Sequence, residues 1–172
     1  MTTLSSELRF TGRVFSVVSD RVRLPNAREV TLDIIRHPGS VVLMPMTDTG
    51  RVMLIQQYRY SIDRWIWELP AGKIEPGESP ETAVRRECEE EIGLVPERIE
   101  PMGDFYPTPG FCDEIMRFYR VSELKPASGT AVRDEDEDIR VEIFDVSDAR
   151  AMVRDGRIVD LKTAFALGTL DI

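Results

Sequence analysis

The chain has 172 residues, of which 42% are hydrophobic and 31% are charged, and its formal net charge is −9. That length accommodates one well-buried domain and leaves little room for a second. The acidic balance argues against a protein that binds a nucleic-acid backbone, which requires clustered Lys and Arg side chains. No apolar run approaches the roughly 20 residues that cross a membrane, so no membrane partner is expected.

The N-terminus and the cysteines indicate the cellular compartment. The opening stretch MTTLSSELRF has neither the basic nor the apolar segment of a secretory signal. Cys88 and Cys112 are too few for a disulfide framework, and neither lies in a metal-binding cysteine spacing. We therefore expect a cytoplasmic protein.

The N-terminal part of the chain is predicted to be β-structure. Strands are expected over residues 9–24 and 29–37, with the turn between them at residues 24–26. These strands would form an antiparallel β-layer, to which we assign residues 1–38. The remainder, residues 39–172, would then be the main domain.

Two further strands follow the β-layer. Residues 40–47 are almost all apolar, which is typical of a strand that is buried on both faces. A strand over residues 51–60 comes next, and the segment Asp48-Thr49-Gly50 between the two predicts a hairpin turn.

A helix is predicted over residues 80–92 by signals at both of its ends. Ser79 suits the N-cap and Pro80 the first helical position, and Gly93 is placed to end the helix. One apolar row repeats at a spacing of four residues, which predicts a buried face. The row consists of Val84, Cys88 and Ile92.

The rest of the chain mixes strands and helices without strict alternation. Strands are predicted near residues 98–106, 115–121 and 139–145, and helices over residues 147–155 and 160–168. This order predicts an α+β fold with a mixed sheet.

The helix over residues 80–92 carries an unusual concentration of acidic side chains. Glu87, Glu90 and Glu91 lie at positions i, i+3 and i+4 and project from one face, where like charges cost roughly 0.2–0.5 kcal/mol per pair. Such a run on its own is typical of a solvated face. Carboxylates in this arrangement could also bind Mg²⁺, which prefers oxygen ligands. We expect Arg86 to orient Glu78 through a forked hydrogen bond.

The segment from residue 72 to residue 94 resembles the Nudix box, G-x5-E-x7-R-E-U-x-E-E-x-G-U, in which U is a bulky apolar residue. Leu94 fills the last U, and Cys88 fills the first, a departure that a buried cysteine tolerates. Every other fixed position of the box matches. Those positions are Gly72, Glu78, Arg86, Glu87, Glu90, Glu91 and Gly93.

Segments outside the box resemble the ADP-ribose pyrophosphatase branch of the Nudix hydrolases. They are WELPAGKIEPGES, PTPGFCDE and DEDEDIRVEIF, and Pro109 lies fifteen positions after Leu94, where that branch has a proline. The resemblance implies an α/β/α sandwich with an exchanged N-terminal β-layer in a homodimer. It also implies hydrolysis of ADP-ribose to AMP and ribose 5-phosphate with Mg²⁺ or Mn²⁺.

The resemblance carries the family's functional roles onto individual positions of this chain. It implies that Glu87, Glu90 and Glu91 bind metal together with the backbone carbonyl of Ala71, and that Arg86 supports them. The general base would come from the acidic loop over residues 133–141. Glu137 fits best by spacing and would also approach the metal, and Glu135 is second.

The resemblance also implies which residues contact the substrate. Arg59 would contact the diphosphate, and Glu114 would meet the substrate from its loop. Phe15 and Arg28, in the β-layer, would bind the adenosine end across the dimer. Two plainer interpretations stay open beside these roles. Arg59 could be a surface residue at a strand end, and the lone His37 could be a strand-end residue.

Two other functions remain open at this point. Relatives with the same box hydrolyse nucleoside diphosphate sugars such as GDP-mannose or ADP-glucose, and the box does not separate these substrates from ADP-ribose. Pro109 favours ADP-ribose. A Nudix module that senses a nucleotide without cleaving it is the third reading. Such modules often lose box carboxylates and gain a DNA-binding domain, and this chain has kept every box carboxylate.

Overall fold

The computed structural model of the chain describes residues 1–127 and 139–169. Within them, ten strands form three sheets, accompanied by three α-helices and a 3₁₀ turn at Tyr60–Ile62. The strands are β1 (Thr2–Thr11), β2 (Ser16–Arg23), β3 (Glu29–Arg36), β4 (Ser40–Pro45), β5 (Val52–Arg59), β6 (Arg64–Glu68), β7 (Ala71–Lys73), β8 (Leu94–Phe105), β9 (Met116–Pro126) and β10 (Ile139–Phe144). The helices are α1 (Pro80–Ile92), α2 (Val146–Arg154) and α3 (Leu161–Thr169).

The N-terminal strands form an antiparallel sheet of their own, in the order β1-β2-β3. The turn between β2 and β3 lies where it was predicted, and Ala27 N donates to Leu24 O at 3.0 Å. The single stretch predicted over residues 9–24 is instead two strands, joined by a turn in which Gly12 N donates to Phe15 O. The polar start of β1 carries little strand signal, because pairing with β2 rather than its own composition makes it a strand.

Strand β4 is the centre of the main core, and the prediction of a strand buried on both faces is confirmed, since all six of its residues are buried. Val41 and Leu43 belong to the apolar cluster that contains the buried face of α1. Val42 and Met44 belong to the cluster that contains α2 and α3. Helices therefore cover both faces of the strands, as in an α/β/α sandwich.

The larger sheet of the sandwich is mixed, as predicted. Strand β4 runs parallel to β9 and antiparallel to β7, in a four-stranded sheet ordered β7-β4-β9-β8. A second sheet has the order β10-β5-β6 and is antiparallel throughout. The short strands β6 and β7 were not predicted from the sequence.

The turn predicted between residues 40–47 and 51–60 is present, but the two strands that it joins do not form the predicted hairpin ladder. Gly50 N donates to Thr47 O at 2.9 Å, and Gly50 has the positive φ of 73° that the turn requires. Only one bridge, between Met46 and Val52, joins the two strands before they enter different sheets. Strand β4 pairs instead with β7 and β9, while β5 pairs with the next strand, β6, and with the distant β10. The turn signal at residues 48–50 does not reveal these partners.

The helix boundaries follow local signals closely. Helix α1 spans Pro80–Ile92, with Ser79 as its N-cap and Gly93 at a φ of 71° as its C-cap, as predicted. The two C-terminal helices lie within one residue of their predicted limits. No helix in the described ranges combines the length and the apolar content that crossing a bilayer requires.

Replacing Ser79 with alanine is expected to lower the free energy of unfolding by about 1 kcal/mol. Thr82 N donates to Ser79 Oγ at 3.2 Å, and the substitution leaves that amide at the helix start without its acceptor. Urea unfolding would measure the change. Ser61→Ala, in the exposed 3₁₀ turn, is the control, and equal effects of the two substitutions would contradict the capping role.

Candidate active site

The acidic face of α1 borders a cleft of about 740 Å³. Glu87 and Glu90 project from the helix into its wall, and the connection between β6 and α1 supplies the adjacent part of the wall. The remaining lining residues come from β5, from α3, from the turn between β1 and β2, and from the segments around β3 and β9. The lining residues used below are Arg13, Val14, His37, Ser40, Arg59, Ala71, Gly72, Arg86, Glu87, Glu90, Glu114 and Lys162.

Arg86 holds the acidic groups together. Its Nε and Nη2 donate to the two carboxylate oxygens of Glu78, each at 3.0 Å, so the predicted fork is confirmed. Its Nη1 donates to Glu87 at 2.6 Å and to Glu90 at 2.8 Å, and Nη2 also donates to Lys73 O. One guanidinium thus contacts three carboxylates, which offsets the repulsion along α1.

These contacts keep the network ionised. The hydrogen bond with Glu78 is the main reason that the pKa of Arg86 lies above its ordinary value, although partial burial acts in the opposite direction. The same hydrogen bond is the main reason that the pKa of the Glu78 carboxyl lies below its ordinary value. The arrangement is therefore stable as a set of charges at neutral pH.

Glu87 and Glu91 are buried to an extent that is unusual for carboxylates, with exposed fractions of 7% and 3%. Ala71 N donates to Glu91 Oε2 at 2.8 Å, which ties α1 to β7. A Cβ atom at Gly72 would lie only 1.9 Å from Glu87 Oε1. The glycine is therefore required, because the carboxylate occupies the space that a side chain would fill.

The donor chemistry of this region fits a hard divalent cation. Glu87, Glu90, Glu91 and the Ala71 carbonyl present oxygen donors only, which Mg²⁺ and Mn²⁺ prefer. Over residues 1–127 and 139–169, no three acidic, His or Cys side chains already form a metal-ligand cluster. These carboxylates accept hydrogen bonds from Arg86 and from Ala71 N.

Cys88, the departure from the box, behaves as an apolar core residue. It has no exposed surface and packs in the cluster beneath α1. Burial, with a smaller contribution from the charge of Glu91, raises the pKa of its thiol to about 12. The thiol is therefore protonated and unreactive at neutral pH.

Arg59 lines the same cleft as the acidic face. Its Nε and Nη2 donate to the two oxygens of Glu68 at 2.6 and 2.8 Å. Hydrogen bonding to Glu68 is the main cause that raises the pKa of Arg59. The guanidinium is fixed in the wall of the cleft and is not a freely solvated strand end.

Glu68 and Lys162 are neighbours of Arg59 that the sequence reasoning missed. Lys162, in the first turn of α3, contacts Glu68 through a short ion pair and Asp160 at 3.1 Å. The signal that could have indicated Glu68 is an acidic residue inside the apolar stretch WIWELP. Lys162 lies far along the chain, and nothing local marks it as a cleft residue.

The predicted Glu114 also lines the cleft. Ser40 Oγ donates to Glu114 Oε1 at 2.9 Å, and His37 Nδ1 lies 3.8 Å from the same atom. His37 follows β3, as expected of a strand-end residue, and is also part of the cleft wall. Gly39 N donates to its Nδ1 at 3.1 Å.

Phe15 and Arg28 are not among the residues that line the cleft of their own chain. Phe15 packs against Phe10, with a ring-centroid distance of 6.1 Å, and Arg28 lies in the turn between β2 and β3. The turn between β1 and β2 reaches the cleft through Arg13 and Val14 instead. Glu135 and Glu137, the predicted general bases, lie outside the described residues.

Comparison with known proteins agrees with this architecture. The NUDIX domain family model matches residues 36–162. The ADP-ribose pyrophosphatase of Bacillus subtilis strain 168 is 36% identical over 170 residues, which cover 99% of this chain and 92% of that protein. A protein of Bacillus methanolicus named methanol dehydrogenase activator is similar to the same degree, 36% over 170 residues, with the same two coverages.

A solved structure has the same fold. It is a crystal structure described as an ADP compounds hydrolase, and it superposes with a TM-score of 0.82 at 21% identity, covering 96% of this chain and 89% of that one. The match of the family model to most of the chain, together with the acidic helix face and its arginine, identifies the chain as a member of the NUDIX family.

Proposed function

We propose that the protein hydrolyses the diphosphate bond of ADP-ribose and releases AMP and ribose 5-phosphate. The observation that carries the proposal is the cleft itself, which Arg59 lines together with Arg86 and the carboxylates of Glu87 and Glu90. Similarity to an ADP-ribose pyrophosphatase over nearly the whole chain supports this choice of substrate.

The proposed roles divide the cleft into an acidic and a cationic side. Glu87, Glu90, Glu91 and the carbonyl of Ala71 would hold Mg²⁺ or Mn²⁺. Such an ion supplies positive charge to the diphosphate and makes water a better nucleophile at neutral pH. Arg86 would keep the carboxylates oriented.

The remaining roles concern the substrate and the proton. Arg59 orients the diphosphate with its guanidinium, and Glu114 contacts the substrate from its loop. Glu137, with Glu135 as the second candidate, accepts a proton from the attacking water. Water oxygen bonds to one phosphorus while the bridging oxygen leaves on the other phosphate, which yields two phosphomonoesters.

Two alternative functions would use the same site. Hydrolysis of a nucleoside diphosphate sugar such as GDP-mannose or ADP-glucose uses the same diphosphate chemistry and differs only in the sugar. A nucleotide sensor that does not cleave its ligand is less well supported, because the carboxylates of the box are all present and bound to Arg86 or to Ala71 N. Cytoplasmic location and the absence of nucleic-acid and membrane partners remain predictions.

The first expected result is selective turnover of ADP-ribose. A panel of ADP-ribose, ADP-glucose, GDP-mannose, NADH and dGTP would be incubated with Mg²⁺ and separately with Mn²⁺. A phosphatase added to each reaction would release phosphate from newly exposed phosphomonoesters. We expect ADP-ribose to give the highest kcat/KM. A profile led by a nucleotide sugar would contradict that substrate, and no turnover by folded protein would contradict hydrolysis.

Replacing Glu90 or Glu91 with glutamine is expected to reduce turnover by about 100-fold, equivalent to about 2.7 kcal/mol in activation free energy. Glutamine keeps the shape of the side chain and removes its charge, so the midpoint of thermal unfolding should change little. Glu89→Gln, on the same helix but not among the three carboxylates proposed to bind metal, is the matched control. Near-normal rates of Glu90→Gln and Glu91→Gln at saturating Mg²⁺ would contradict the metal-binding role.

The β-layer is proposed to form the interface of a homodimer. All ten residues of β1 are exposed, and β1 is an edge of its sheet. Large apolar side chains are exposed on β1, in the turn that follows it and on β3, and such an exposed apolar surface is typical of an interface. They are Leu4, Leu8, Phe10, Val14, Phe15 and Leu32.

Light scattering coupled to size-exclusion chromatography is expected to give the mass of two chains for the unmodified protein. Leu8→Glu should shift the mass toward one chain, because it places a charge in the apolar surface. Ile62→Glu, an exposed apolar position in the 3₁₀ turn, should leave the mass unchanged. A single-chain mass for the unmodified protein would contradict the dimer.

A further inference from the structure

A compact group of alternating charges borders the cleft beside the acidic face of α1. Arg59 of β5, Glu68 of β6 and the pair Asp160 and Lys162 at the start of α3 are linked by ion pairs and hydrogen bonds. Glu68 stands at the centre of the group, because Arg59 and Lys162 both contact it. This group is distinct from the Arg86 network and plays no part in the roles proposed above, except through Arg59.

The two carboxylates of the group lie behind the two cations. Glu68 is 1% exposed, and neither Glu68 nor Asp160 lines the cleft. Arg59 and Lys162 both do, with exposed side-chain fractions of 38% and 9%. A ligand in the cleft therefore meets the positive ends of the ion pairs, although the four formal charges cancel.

Glu68 remains ionised in spite of its burial. Burial alone would raise the pKa of its carboxyl, but the hydrogen bonds of Arg59 and the charge of Lys162 outweigh that effect and bring the pKa below its ordinary value. Arg59 already donates to both of its oxygens. Each carboxylate oxygen of Glu68 therefore has a donor even before the contact with Lys162 is counted.

The backbone around Lys162 is fixed by a short chain of hydrogen bonds. Leu69 N donates to Thr163 Oγ1 at 2.7 Å, and Thr163 Oγ1 donates to Asp160 Oδ2 at 2.6 Å. Thr163 N also donates to Asp160 Oδ2 at 3.0 Å. Leu69 directly follows Glu68, so the start of α3 and the end of β6 are held as one unit. A preorganised cation loses little freedom when it binds a ligand.

Both cations retain donors for a ligand. Nη1 of Arg59 forms no hydrogen bond to any side chain or backbone atom within the described part of the chain, since Nε and Nη2 are the atoms that contact Glu68. The ammonium group of Lys162 has three N–H donors and contacts two carboxylates. The remaining donors belong to two residues that share one wall of the cleft.

We infer that Lys162 is a substrate-binding residue that forms, together with Arg59, a two-point site for one phosphate group of the substrate. Glu68 is the positioning residue that holds both cations in place. The inference rests on the proposed function, because it assigns a phosphate-binding site within the same cleft. The competing role is purely structural, in which Lys162 only neutralises Glu68 and Asp160.

Affinity for the two reaction products distinguishes a substrate-binding role of Lys162 from a purely structural one, and its measurement requires no turnover. Isothermal titration calorimetry would give dissociation constants for AMP and for ribose 5-phosphate with the unmodified protein and with Lys162→Met. Methionine approximates the apolar stem of lysine and removes the charge. The dissociation constant of at least one product should rise by about 10- to 100-fold, because a hydrogen bond to a charged group is lost. The product affected identifies the phosphate that Lys162 contacts.

Lys125→Met is the matched control, since Lys125 is exposed, lies on β9 and is not part of the cleft wall. It should leave both dissociation constants unchanged. In turnover of ADP-ribose, Lys162→Met should raise KM more than it lowers kcat. Unchanged dissociation constants for both products in folded Lys162→Met would overturn the inference, whatever its thermal stability.

The positioning role of Glu68 is tested by a double-substitution cycle. Glu68→Gln should weaken binding of the same product as Lys162→Met, and the double variant should bind it about as weakly as the weaker of the two single variants. Full additivity of the two effects would show that Glu68 does not act through Lys162.

A second measurement covers the case in which Lys162→Met does not fold. Lysine acetylation of the unmodified protein, followed by mass spectrometry, should be slower at Lys162 in saturating AMP or ribose 5-phosphate and unchanged at Lys125. Equal labelling of Lys162 with and without both products would overturn the inference. Failure of the unmodified protein to hydrolyse ADP-ribose would refute the proposed function alone, because these binding and labelling results do not depend on turnover.

Discussion

The guanidinium of Arg86 is the interaction on which the acidic side of the cleft depends. A helix with Glu87, Glu90 and Glu91 on one face would be destabilised by repulsion, and two of those carboxylates are also buried. Arg86 donates to Glu87 and Glu90 and forks onto Glu78, which ties α1 to the loop before it. One positive charge thus offsets part of the repulsion among these carboxylates before any ligand arrives.

The negative charge that Arg86 does not neutralise prepares the site for a cation. Carboxylates that one arginine holds close together offer the oxygen ligands that a divalent ion prefers. The contact of Glu87 with Gly72 and that of Glu91 with Ala71 N bring the helix face against β7. A side chain at Gly72 would separate the helix from the strand, which explains why the loop needs glycine at this position.

The group around Glu68 has the reverse arrangement of charges. There a buried carboxylate, Glu68, holds two cations that line the cleft. At α1 a cation holds carboxylates. An anionic ligand in the cleft would thus meet the cations of the first group directly, and would require a metal ion beside the carboxylates of the second.

How much of this was predictable depends on the range over which each signal acts. The limits of α1 followed from Ser79, Pro80 and Gly93, because capping is decided by neighbouring residues. The fork between Arg86 and Glu78 was also expected from the sequence and is present. The pairing of β4 with β5 was predicted wrongly, because the turn signal at residues 48–50 does not show which distant strands compete for their edges.

The sequence by itself determined the acidic helix face, the glycine-rich loop before it and the family to which they point, since all of these are carried by one segment of 23 residues. Only the tertiary structure decided which residues lie beside Arg59 in the cleft. Glu68 and Lys162 come from β6 and α3, and more than 90 residues separate them. Their contact follows from the packing of α3 on the sandwich, and no local pattern encodes such packing.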